Sequence, residues 1–73
     1  MSKKDIAWNN AHIIRGKNSD LYRKDDYGNL MYKPSYGKKS EMGWEIDHKH
    51  PISKGGTDTP NNLHAVQWEE NRQ

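Results

Sequence analysis

The chain has 73 residues, 30% of them hydrophobic and 30% charged, with a formal net charge of +2. A length like this allows one domain at most, and a small domain buries only about 60% of the surface its unfolded chain exposes. There is no cysteine, which excludes a disulfide framework, a thiol nucleophile and any cysteine-bound zinc or iron–sulfur site.

Residues 4–14 predict a short helix, weakened by Asp5, Asn9 and Asn10. Residues 16–20 read as a loop, and residues 21–27 interleave charges with aromatic rings. Tyr27-Gly28-Asn29 is a turn signal. Residues 30–33 predict a short strand before Pro34, and Gly37 and Gly43 punctuate a polar connector. Residues 44–48 alternate apolar and polar and predict a strand. Residues 53–62 are a dense loop, residues 63–67 a second strand, and residues 68–73 a helix of about a turn and a half. The last thirty residues thus read strand, loop, strand, helix. Trp44 and Trp68 are the simplest core residues, and Trp8 either joins them or covers them.

The apolar supply is thin: Leu, Ile and Val number nine, and Phe is absent. Three Trp and four Tyr argue against disorder, because they fill a small core. No apolar run is long enough for a membrane span or a signal peptide, so the expected location is the cytoplasm, with no membrane partner. The charge is uneven. Residues 1–43 carry nine Lys/Arg against five Asp/Glu, and residues 44–73 carry three against five. A basic half suits a phosphate backbone. An acidic half suits a divalent cation.

The chemistry concentrates after residue 43. Asp47 offers a carboxylate and Asn71 an amide oxygen, both hard ligands for Mg²⁺ or Mn²⁺. Two protein ligands leave most of an octahedral shell open to water and a phosphate oxygen. His48 is the side-chain type whose ordinary pKa suits a base near neutrality. These parts fit metal-assisted phosphodiester hydrolysis, although spacing alone does not bring them together. His48 and His50 would share one face of an extended strand, so a transition-metal pair is open, with a structural or phosphate-contacting role for His50 preferred. His12 and His64 read as structural or surface residues. Gly55-Gly56 reads first as a tight turn and second as a phosphate cradle.

Asp47-His48 with Pro51, then Gly55-Gly56, then Asn62-Leu63, then Asn71 on a helix, resembles the HNH endonuclease motif. Trp8-Asn9, Arg23-Lys24-Asp25, Tyr36-Gly37 and the run from Gly43 to His48 resemble the lead-in of small bacterial and phage HNH proteins. The resemblance implies an α+β fold: a small ββα-metal finger over residues 44–73, with a short irregular or helical, basic N-terminal extension over residues 1–43 of one HNH-type domain. It implies a divalent-metal-dependent DNA endonuclease. Asp47 and Asn71 would be the metal ligands and His48 the general base. Asn62 would tie the loop and so help orient His48. One divalent ion is implied, Mg²⁺ or Mn²⁺ first, with Ni²⁺ and Zn²⁺ also allowed by ligand type. DNA is the implied partner, with Arg23, Lys24, Lys54 and Arg72 as candidate phosphate contacts. A finger of this size contacts mainly backbone, so specificity would come from residues 1–43, a protein partner or a second copy.

The sequence departs from the family pattern in two ways. It lacks the cysteine-bound zinc that braces many HNH fingers. Only Arg72 and Gln73 follow Asn71, so the expectation is a helix end that frays and holds Asn71 loosely. The alternative is a nucleic-acid-binding module with a dormant site, acting within a larger DNA-processing or packaging assembly.

Overall fold

A computed structural model describes residues 1–73. The first helix, α1, spans Lys3–Asn9. Ser2 caps it: its hydroxyl accepts from the Asp5 amide at 3.2 Å and donates to the Asp5 carboxylate at 2.9 Å. The predicted helix ran on to residue 14. It ends earlier because its last carbonyls are claimed from outside. The Arg23 guanidinium donates to the carbonyls of Trp8, Asn9 and Ala11 at 3.1–3.4 Å. The Asn10 amide donates to the Pro60 and Leu63 carbonyls, both at 2.8 Å.

The chain then turns into a meander of three antiparallel strands, β1 (His12–Ile13), β2 (Tyr22–Lys24) and β3 (Leu30–Tyr32). The expectation for this half was irregular or helical, with one strand at residues 30–33. The sheet was hidden because its three strands hold only two or three residues each and β2 carries charges. Asp25 makes the β2–β3 turn. Its buried carboxylate accepts from the amides of Tyr27 and Asn29 and from the Asn29 side chain, and it reaches the Gln67 amide at 3.0 Å.

The second sheet is a hairpin of β4 (Trp44–His48) and β5 (Leu63–Gln67), with Asp47 opposite His64 and His48 opposite Leu63. Its bounds match the alternation in the sequence. Period two places Trp44, Ile46 and His48 on one face with Leu63, Ala65 and Gln67. Glu45 and Asp47 share the other face with His64 and Val66. A final helix, α2 (Trp68–Asn71), is capped by the Gln67 side chain, which accepts from the Glu70 amide at 3.1 Å.

The core forms where α1 lies on the hairpin. Ala7, Trp8, Ala11, Met31, Trp44, Leu63 and Ala65 make one cluster. The Trp8 and Trp44 rings sit 5.2 Å apart, and Tyr36 packs on Trp44 at 4.9 Å. All five residues of β5 are buried. Trp68, expected in the core, is only half-buried at its edge, where its indole N–H donates to the Ser40 carbonyl.

Residues 49–62 connect the hairpin through 3₁₀ turns at Ile52–Lys54 and Pro60–Asn62. The two glycines here serve different ends. Gly55 has φ +88°, a left-handed conformation. Gly56 has ordinary φ, but a Cβ there would run into the carbonyls of His50 and Pro51. Gly56→Ala should therefore cost about 1–3 kcal/mol through overpacking. A fall in Tm of several degrees would show it.

Candidate active site

Asp47 and His48 stand where β4 runs into the connecting loop, opposite His64 and Leu63 at the start of β5. Asp47 and His48 are consecutive, so their side chains leave opposite faces of β4. The sheet has two strands, so no strand covers the outer edge of β4 beside them.

On the face away from α1, a chain of alternating carboxylates and imidazoles runs from Asp47 back to β1. Asp47 Oδ2 lies 3.2 Å from His64 Nε2. His64 Nδ1 lies 3.0 Å from Asp26 Oδ2, and Asp26 Oδ1 lies 2.7 Å from His12 Nε2. The His64 side chain is only 7% exposed. Burial by itself would raise the Asp26 carboxyl, but hydrogen bonds from His12 and His64 outweigh it and hold the group below its ordinary value. Asp47 Oδ1 makes no hydrogen bond to the protein and is free to ligate.

Asn71 meets the same face of β4, two residues along from Asp47. Its amide donates to Glu45 Oε1 at 3.1 Å, which leaves its oxygen uncommitted. Arg72 grips both oxygens of Glu45, donating from Nε at 3.2 Å and from Nη2 at 2.7 Å. The Arg72 guanidinium, helped by the Asn71 amide, holds the Glu45 carboxyl below its usual range. These contacts tie the short α2 to β4. No three His, Asp or Glu side chains converge as a cage. The donor set is one free carboxylate oxygen and one free amide oxygen on a common face, and such oxygens fit a hard divalent cation that keeps most of its water.

On the opposite face, His48 Nε2 lies 2.6 Å from Asp58 Oδ1, and Lys3 of α1 holds Asp58 Oδ2 at 2.7 Å. Lys3 first and His48 second keep the Asp58 carboxyl below its ordinary value. Asn62 closes the connecting loop with three bonds. Its oxygen accepts from the His50 amide at 2.7 Å, and its nitrogen donates to the carbonyls of His50 and Thr57 at 3.0 and 2.6 Å. His50 is held through its backbone, and its ring is exposed.

The HNH endonuclease family model matches residues 35–71, half of the chain and all of β4, β5 and α2. This chain belongs to the HNH endonuclease family. The HNH match begins at Ser35, so it takes in the connector that leads to Trp44. No curated protein and no solved structure matches the chain. Nuclease chemistry is the general activity of the HNH family, and its members use a divalent metal and act on DNA. No helix here is long and apolar enough to cross a membrane.

Against that background, two of the four cations expected at DNA have other employment. Arg23 is buried, and its guanidinium serves four carbonyls, the fourth being Ser19 at 2.8 Å. It was expected at the phosphate backbone; instead it holds the end of α1. Arg72 is exposed but locked to Glu45. Lys24 and Lys54 are exposed. Arg23→Met should cost about 1–3 kcal/mol by orphaning buried carbonyls. Its DNA affinity should keep the same salt slope, whereas Lys24→Ala should lower that slope by about one. Denaturant melts and salt titrations of DNA binding check the pair.

Three partners escaped the sequence reading, Asp58, Asp26 and Glu45, while His64, read as structural or surface, is buried beside Asp47. The hairpin register alone places His64 opposite Asp47. Alternation alone puts Glu45 on the Asp47 face. Asp58 and Asp26 gave no local signal, since each sits in a polar loop distant in sequence from what it holds.

Proposed function

We propose that this HNH protein is a divalent-metal-dependent DNA endonuclease that hydrolyses phosphodiester bonds, nicking or cutting both strands. The observation that carries the reading is the Asp47-His48 step at the end of β4. It joins a carboxylate with a free oxygen to an imidazole with one tied and one free ring nitrogen. Asp47 and Asn71 would hold the ion, Mg²⁺ or Mn²⁺ by their hard-oxygen character. When bound, the ion supplies charge stabilisation at a phosphate oxygen and at the leaving 3′-oxygen. His48 takes the proton of the attacking water as it closes on phosphorus. The bond from phosphorus to the 3′-oxygen then breaks, and the product carries a 5′-phosphate.

The remaining residues position and attract. Asn62 keeps the backbone of residues 50 and 57 in register, two and more residues beyond His48. His64 restrains the Asp47 carboxylate through one oxygen. Exposed Lys24 and Lys54 draw the DNA backbone, and exposed Lys38 and Lys39 add to the same field. Backbone contacts give affinity without sequence readout, so a protein partner or a second copy would add specificity.

The test is nicking of supercoiled plasmid with Mg²⁺ or Mn²⁺, followed by EDTA. Cleavage that EDTA does not stop would refute the reading. A second reading, a DNA-binding module with a dormant site in a larger assembly, draws on the excess of Lys and Arg over residues 1–43 and on the four-residue α2 that carries Asn71. Salt-sensitive binding with no nicked product under any divalent ion would favour it.

A further inference from the structure

We propose that Asp58 is a positioning residue: it sets the tautomer of His48 so that Nδ1 carries the lone pair, and Lys3 of α1 keeps it in place. The inference rests on the reading of His48 as the general base and deepens it.

The geometry is direct. Asp58 Oδ1, 2.6 Å from Nε2, is the one protein group that hydrogen-bonds the His48 ring. An ionised carboxylate only accepts, so the hydrogen in that bond belongs to Nε2. In the neutral ring the lone pair then sits on Nδ1, the nitrogen without a protein partner. The carboxylate is ionised across the neutral range, since Lys3 and His48 hold it below its ordinary value.

Asp58 is itself fixed on several sides. Lys3 takes its second oxygen at 2.7 Å, so rotation of the carboxylate would break one bond or the other. The Thr57 carbonyl next to it is held by Asn62 at 2.6 Å. The Pro60 carbonyl beyond it is held by Asn10 at 2.8 Å. Helix α1 and its C-cap residue therefore grip the loop, Lys3 at Asp58 itself and Asn10 two residues beyond it. A base oriented in turn by a third group is the arrangement that general-base chemistry favours. The carboxylate would also stabilise the positive ring that forms when Nδ1 takes a proton.

The experiment measures tautomer and turnover separately. ¹⁵N spectra of the histidine rings, recorded where the ring is neutral and assigned with His48→Ala, should show His48 protonated at Nε2. Asp58→Asn offers an amide that both donates and accepts, so it should mix the two tautomers. It should lower kcat for plasmid nicking by about 10²–10⁴-fold while leaving KM near that of the parent chain. Asp58→Ala, which offers no partner, should behave alike; circular dichroism confirms that each variant is folded. A parent His48 protonated at Nδ1 overturns the proposal whether or not the protein cuts DNA. So does a folded Asp58→Ala variant with unchanged kcat. A parent chain with the Nε2 tautomer that cuts no DNA overturns the nuclease reading while the positioning stands.

Discussion

His48→Ala should lower plasmid nicking by about two to four orders of magnitude, the usual contribution of a positioned base. The loss should fall on turnover. Mn²⁺ binding by calorimetry should stay near that of the parent chain, because His48 and Asp47 project from opposite faces of β4. Asp47→Ala should behave differently. It removes the free carboxylate oxygen and orphans one nitrogen of the buried His64 ring. Both Mn²⁺ binding and cleavage should go, with some loss of Tm. If the two variants lost metal binding equally, the division of labour between base and ligand would be wrong.

Trp44→Ala should be the most damaging single change to the fold. Trp44 is fully buried, packs against the tilted rings of Trp8 and Tyr36, and donates its indole N–H to the carbonyls of Tyr32 and Lys33, each at 3.1 Å. Truncating a buried Trp costs about 3–5 kcal/mol. Whole-domain stability is about 5–15 kcal/mol, and small chains sit low in that range. The variant should therefore be largely unfolded at 37 °C by circular dichroism and inactive with it. Trp44→Phe keeps much of the buried ring and loses the N–H bonds. It should melt earlier than the parent chain yet stay folded at 25 °C and retain cleavage. A Trp44→Ala protein with parental Tm would place the core elsewhere.

The hairpin was legible because its signal is local. The alternation of Trp44-Glu45-Ile46-Asp47-His48 specifies a half-buried strand by itself. The run Leu63-His64-Ala65-Val66-Gln67 reads as a strand too, yet its burial on both faces does not show in the residue types. His64 and Gln67 are polar, and they are buried because partners far along the chain receive them: Asp26 and Asp47 for His64, Asp25 and Glu41 for Gln67. The length of α1 was misjudged for the same reason. What stops it is Arg23 and the loop before β5, and neither lies within the helix. The motif residues could be named from their order. Their supporting partners could not, because a carboxylate in a turn has no periodicity and finds its target only once the chain has folded. Arg23 shows the converse. A cation in a basic half looks like a phosphate contact until four carbonyls are found around it.

The seating of α1 on β5 also bears on how the molecule comes into being. Core residues Ala7 and Trp8 wait for Leu63 and Ala65, more than fifty positions away. Contacts of such long sequence separation close late and slow folding. A nascent chain that has not yet produced β5 lacks the Leu63 and Ala65 contacts of the helix and has no register for Asp47. The step that completes the core also brings His48 and Asn62 into place. A partly synthesised or clipped chain should thus be both unfolded and unable to cut, and activity should appear together with cooperative structure.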